Sequence, residues 1–129
     1  MDCLYIIVPC LNEEEALPIT AKILKDKLMS LINANKISKS SKIVFVNDGS
    51  TDNTWKIIKT LHQNSNIYSG INLSRNRGQQ NALLCGLLTM KDYCDFIISI
   101  DADLQDDVNA IDTMIDKYID GCDIVYGVR

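Results

Sequence analysis

"IVFVNDGSTDNTWKIIKTLH", residues 43–62, joins three kinds of segment in one short run. Ile43, Val44, Phe45 and Val46 form an apolar, β-branched and aromatic stretch that reads as a strand. "NDGSTDNT" follows: Gly49 permits a tight turn, and Ser50, Thr51 and Asp52 are residues that cap helices. Residues 55–62 then take up helical spacing. A strand feeding a helix through a capped turn is one βα unit, and the question is whether the rest of the chain repeats it.

It does. Residues 4–8 are a short apolar run that Pro9 is expected to end. Residues 13–35 are helix-periodic, with Ala16, Ile19, Ile23, Leu24, Leu28, Leu31 and Ile32 on one broad face. Pro18 falls in the first turns, where a missing N–H costs little. "NKISKSSK" is a polar connection. Residues 67–73 read as a third strand, interrupted by Ser69-Gly70. Residues 78–92 read as a third helix with Ala82, Leu83, Gly86 and Leu87 inward. Residues 95–100 are a fourth strand. Val108, Ile111, Met114, Ile115, Tyr118 and Ile119 mark a fourth helix, and residues 124–126 a fifth strand. Strands alternating with helices predict an α/β fold, three layers α/β/α around a mostly parallel sheet, Rossmann-like in plan. No repeat, linker or low-complexity segment divides it, so 1–129 is expected to be a single domain.

Composition agrees with a globular domain: 47% apolar and 23% charged, with only 6% aromatic, so Ile, Leu, Val and Ala must build the core. Thirteen basic against 17 acidic residues leave a net charge of −4, which argues against a nucleic-acid binder. The five cysteines, Cys3, Cys10, Cys85, Cys94 and Cys122, are irregularly spaced, lack a CxxC pair, and fall in or beside apolar segments. They read as reduced, buried thiols of a cytoplasmic protein. Met1-Asp2 leads straight into a strand-like run, without the basic segment of a signal peptide. No apolar run approaches the ~20 residues that span a bilayer.

In a parallel sheet, ligands bind outside the carboxyl ends of the strands. Here every strand carries a polar cluster at that end: "VPCLNEEE", "VNDGSTDNT", "LSRNRGQQNA", "DADLQDD" and "YGVR". "NDGSTDNT" is explained by turn and cap chemistry alone; the functional alternative has Asp48 accept a hydrogen bond from the imino N–H of uracil or guanine. In "SRNRGQQNA", Arg75, Arg77 and Gly78 open a helix. That start attracts anions, although solvated or acid-paired arginines explain it equally well. In "DADLQDD", Asp101 and Asp103 project to one side of an extended segment. With Gln105 they offer oxygen-only ligation suited to Mg²⁺ or Mn²⁺, whereas Asp106 and Asp107 are explained by the helix they open. There is no GxxxxGK[ST] and no GxGxxG after the first strand, which argues against P-loop and dinucleotide sites. A phosphoryl-transfer receiver would need an acid after the third strand and a lysine after the fifth. This chain has Ser74-Arg75 and Gly127-Val128-Arg129 there. An aspartate-nucleophile phosphatase would expect Thr or Val where Gln105 stands.

Taken in order, "IIVPCLNEEEAL", "IVFVNDGSTDNT", "INLSRNRGQQNALLCGL", "IISIDADLQDD" and "DIVYGVR" resemble a family 2 glycosyltransferase, the inverting type with the nucleotide-diphospho-sugar-binding GT-A fold. "SRNRGQQNALLCGL" followed by "DADLQ" is most similar to the polyprenyl-phosphate glycosyltransferases. The resemblance implies that Pro9, Asn12 and Glu13 border the nucleotide. Asp48 would lie on the base with Ser50 beside it in the substrate-binding set, and Arg75 and Gly78 near the diphosphate. Asp101 would contact ribose or metal. Asp103 and Gln105 would hold a divalent cation, Mg²⁺ or Mn²⁺. Arg129 matches a family arginine near the phosphates, and with Asp103 makes up the implied catalytic pair. The implied donor is a UDP- or GDP-linked sugar, and the implied acceptor a lipid phosphate or a glycan. A homo-oligomer stays open. Family members of this type continue beyond "YGVR" into acceptor-binding and membrane-attaching segments. The chain is therefore expected to be an N-terminal portion of a protein held at the cytoplasmic face of a membrane.

Overall fold

Strand β1 (Leu4–Cys10) organises the fold, because all seven of its residues are buried and both faces of the sheet are built on it. The computed structural model describes residues 1–103 and 109–119. Within them, β1 is followed by α1 (Leu17–Asn33), β2 (Lys42–Asn47), α2 (Thr54–Asn64), β3 (Tyr68–Asn72), α3 (Gln79–Met90), β4 (Phe96–Ser99) and α4 (Ala110–Ile119). The strands form one sheet in the order β3-β2-β1-β4, and every pairing is parallel. The predicted fifth strand, residues 124–126, lies outside the described residues, as do Gln105, Asp106, Asp107, Val108, Cys122 and Arg129.

Side-chain alternation along β1 assigns its residues to two cores. Leu4, Ile6, Val8 and Cys10 face a larger core with Leu17, Ala21, Leu24 and Leu28 of α1, Ile58 of α2, and Ile111 and Ile115 of α4. Tyr5 and Ile7 face a smaller one with Val44, Val46 and Ala82 of α3. Three layers result, with α1, α2 and α4 on one face and α3 on the other. Each fully buried aliphatic side chain contributes about 1.5–3 kcal/mol. Leu4, Ile6, Ile7 and Val8 are all at 0% exposure, as are Ile43, Val44, Phe45 and Val46 of β2, so these two strands carry the centre of the sheet.

Several boundaries differ from expectation for local reasons. Pro9 does not end β1 but pairs with Val46 inside it. It shares parity with Ile7, whose carbonyl accepts the Ile100 N–H. Its missing donor therefore faces the β4 side, where the ladder has already stopped at Ile7 and Ser99. Helix α1 starts at Leu17 and not at residue 13, because Asn12 takes a positive φ of 52° and residues 14–16 form a turn. The buried stripe of α1 is Leu17, Thr20, Ala21, Leu24, Leu28 and Leu31. Ile19 and Ile23, expected inward, are 65% and 37% exposed. The remaining elements shift by two residues or fewer.

Candidate functional site

From β1 the chain runs to β2 on one side and, later, returns to β4 on the other. The loops leaving β1 and β4 therefore part company, and a crevice opens at their carboxyl ends, as the order of a doubly wound sheet requires. A cavity of about 300 Å³ lies there, at the lower end of the range of small-ligand pockets, about 300–1,000 Å³. Its walls are Pro9, Cys10, Leu11 and Glu13 after β1, Asp48 after β2, Asn76, Gly78 and Gln79 before and at the start of α3, and Asp101, Ala102 and Asp103 after β4.

Of the residues singled out from sequence, Pro9, Glu13, Asp48, Gly78, Asp101 and Asp103 line this cavity. Asn12, Ser50 and Arg75 are not among the lining residues. Asn12 and Ser50 instead fasten two loops together. The Asn12 backbone N–H donates to Ser50 Oγ at 3.0 Å, and Asn12 Oδ1 accepts from the Thr51 N–H at 2.8 Å. Ser50 Oγ in turn donates to Asn47 Oδ1 at 2.5 Å. The Glu13 N–H donates to Thr54 Oγ1 at 2.9 Å. Asp52, not Ser50, supplies the oxygen at the start of α2, accepting from the Thr54 N–H at 2.9 Å and the Thr54 hydroxyl at 2.5 Å. Burial pushes the Asp52 carboxyl up, but these hydrogen bonds, with one from the Glu14 N–H, more than offset it and leave its pKa lowered.

Asp48 is 2% exposed, and its Oδ1 accepts the Arg77 backbone N–H at 2.7 Å. Next to it, Gly49 sits at φ +69°, and a Cβ there would lie 2.2 Å from the Asn76 nitrogen. Only glycine satisfies both the conformation and the contact. The β2–α2 turn and the β3–α3 loop thus form one unit. Gly78 also has a positive φ, +93°, but a Cβ there would meet open space, so its room is free for a ligand.

On the opposite wall, the Thr20 hydroxyl donates to the Ala102 carbonyl at 2.6 Å, fixing the turn between the two aspartates to α1. Ala102 is buried, Asp101 is half-buried and Asp103 is exposed. Glu13 completes an acidic rim. Its pKa is raised, first by burial and then by the charges of Asp103, Asp52 and Asp101. Cys10, at the floor, is pushed far up by burial and by Glu13, so it is an inert thiol.

Sequence reasoning overlooked Asn76 and Gln79. Both belong to "SRNRGQQNA", but the carboxamide of Gln79 reaches Asp101, 22 positions away, its Nε2 donating to Oδ1 at 2.8 Å.

Two acidic oxygen ligands on one wall suit a hard divalent cation. No group of three or more His, Cys, Asp or Glu side chains forms a ready cage among the described residues. Mg²⁺ in general is held by one or two carboxylates together with substrate phosphates and water.

Comparisons with known proteins agree on one family. Residues 5–129 match the profile of Glycosyl transferase family 2. YkoT of Bacillus subtilis (strain 168), described as an uncharacterized glycosyltransferase, is 47% identical over 98% of this chain and 37% of its own length. A prophage bactoprenol glucosyl transferase homolog of Escherichia coli K12 is 36% identical over 96% of this chain and 38% of its own. An undecaprenyl-phosphate 4-deoxy-4-formamido-L-arabinose transferase of Shewanella sediminis is 35% identical over 100% and 37%. Among solved structures, TarS of S. aureus superposes with a TM-score of 0.54 at 19% identity, over 91% of this chain and 20% of its own, which bears on the fold alone. The chain spans little more than a third of the length of these sequence relatives, 37–38%. With a profile match from the second residue of β1 to the last residue, the chain belongs to glycosyltransferase family 2.

Proposed function

We propose that this chain carries the donor-binding part of an inverting glycosyltransferase that moves a sugar from a UDP- or GDP-linked donor to a polyprenyl phosphate. The observation that carries the reading is the cavity at the β1/β4 crevice, where Asp48, the start of α3 and the Asp101/Asp103 pair converge. The names of the relatives from E. coli and S. sediminis support the lipid acceptor.

The division of labour follows from position. Pro9, Glu13 and Asp48 line the part of the cavity nearest β1 and β2, where a nucleoside would lie. The N-terminus of α3 offers backbone N–H groups to a diphosphate, favoured by the helix dipole. Gly78, whose own N–H is held by Asn76 Oδ1 at 2.9 Å, leaves open space beside it. Asp101 and Asp103 would hold the divalent cation, with Gln105 assigned to the same set from sequence. A cation bound there would stabilise the negative charge that the departing nucleotide diphosphate acquires. For the acceptor, a phosphate monoester with a second pKa of about 6 is mostly dianionic at pH 7, so it attacks the anomeric carbon without a protein base. A sugar hydroxyl would need one. Attachment at the cytoplasmic face of a membrane belongs to the same proposal. No helix among the described residues is long and apolar enough to cross one.

The test is calorimetry with UDP and GDP, with and without Mn²⁺. Wild type is expected to bind one of them more tightly with the metal, and Asp103→Ala to lose that gain. Equal affinities in wild type and Asp103→Ala would sink the metal assignment. Failure of wild type to bind either nucleotide would sink the donor site.

A further inference from the structure

We infer that Gln79 is a positioning residue that orients Asp101 for the divalent cation; this rests on the function proposed above. Among the described residues, strand β3 lies at one end of the strand order and β4 at the other. The loop after β3 must therefore cross the ends of β2 and β1 before α3 settles against them, with Gly86 close enough that a Cβ would meet Ile7 Cγ2 at 2.8 Å. Gln79, the first residue of α3, is where that crossing meets the loop after β4. Its carboxamide closes the span with the 2.8 Å bond to Asp101 Oδ1.

The donor is held on its own side. Asp48 anchors the Arg77 N–H at 2.7 Å. Asn81 Nδ2 donates to the Arg77 carbonyl at 2.7 Å, and the Ala82 N–H donates to the Gly78 carbonyl at 2.9 Å. Gln79 therefore leaves a fixed helix start. Because the terminal torsion of a carboxylate is broad in itself, the bond from the Gln79 amide narrows the plane of the Asp101 carboxylate. The amide does so without charge. A lysine or arginine here would orient Asp101 equally well but would repel the cation. Groups that orient metal ligands in this way are worth about 10–100-fold in metal affinity, and the exposure of this pair places it at the low end.

The experiment titrates Mn²⁺ into the whole 129-residue chain, alone and with UDP or GDP present, for wild type, Gln79→Ala and Gln79→Glu. Nucleotide affinity and melting temperature are measured in parallel in EDTA. Gln79→Ala is expected to bind Mn²⁺ about tenfold more weakly. Any loss of nucleotide affinity in EDTA, since Gln79 lines the cavity, is expected to be smaller than that. Gln79→Glu has the same length but sets another carboxylate against Asp101. It is expected to melt below wild type in EDTA and to bind Mn²⁺ more tightly, since ligand charge sets affinity for hard cations. If wild type binds Mn²⁺ and both variants match it, Gln79 does not position Asp101, and the proposed function stands without it. If Gln79→Ala loses nucleotide affinity in EDTA as much as it loses Mn²⁺, Gln79 only holds the loop, and the inference is overturned. If wild type binds no Mn²⁺ under either condition, the inference falls together with the cation site it rests on.

Discussion

At the scale of single residues, the acids around the crevice divide by what they touch. Asp48 is buried and accepts a backbone N–H, so part of its work is structural whatever else it binds. Asp48→Ala is expected to destabilise the fold by about 1.5–3 kcal/mol, the scale of a hydrogen bond to a charged group. Asp48→Asn keeps an acceptor oxygen and should recover most of that in urea unfolding. Equal losses for both variants would mean that the charge, and not the Arg77 contact, is what matters. Glu13 behaves in the opposite sense. Its folded pKa lies above the ordinary 4.5 because of burial and then of Asp103, Asp52 and Asp101. The unfolded chain therefore releases its proton first, and stability falls as pH rises from about 4.5 through the folded value. Glu13→Gln removes that cost. It should raise the melting temperature slightly at pH 7 and leave it unchanged near pH 3. A gain of the same size at both pH values would rule out the ionisation as its source.

At the scale of elements, the site exists because loops from separate βα units are fastened to one another. Gly49 is the tightest of these joints. Gly49→Ala forces an L-residue to φ +69° and drives a methyl into the Asn76 and Arg75 backbone. The left-handed conformation alone costs about 1–2 kcal/mol, and the clash adds to it or opens the β3–α3 loop. Proteolysis is expected to become faster at residues 74–78 while α1 and α2 stay protected. Unchanged cleavage would show that the two loops are independent. These joints also mark what could be read beforehand. Each βα unit was legible, because apolar runs such as Ile43–Val46 and capping clusters such as Ser50-Thr51-Asp52 are local signals. Asp101 and Asp103 were legible as acids just past a strand end, and both line the cavity. Residues 102–103, however, form a turn and not the extended segment from which a shared side was expected. The reach of Gln79 to Asp101 was not legible. It depends on the β3–α3 loop crossing two strand ends, and that follows from the order β3-β2-β1-β4, which no local pattern encodes. Pro9 misled for the same reason: whether a strand tolerates proline depends on which neighbour its missing N–H would have faced.

At the scale of the whole molecule, two cores of unequal size share one strand. The larger is covered by three helices; the smaller, among the described residues, by α3 with Ala82 and Gly86 turned to the sheet. The shared strand decides whether they unfold together. Ile6 and Ile7 are neighbours in β1, both at 0% exposure, and face opposite cores. Truncating either to alanine should cost about 2–5 kcal/mol, a large share of the ~5–15 kcal/mol that a domain holds in total. Trp55 packs against the larger core, so its fluorescence reports on the face that contains Ile6, while far-UV circular dichroism reports on all elements. Since β1 pairs with both β2 and β4, losing it from one core removes the floor of the other. Ile7→Ala should therefore move the Trp55 transition and the dichroism transition to the same lower urea concentration, although Trp55 lies on the far side of the sheet. A dichroism midpoint that falls while the fluorescence midpoint stays in place would mean that the α3 face melts by itself. The crevice would then rest on a wall that opens independently of the sheet behind it.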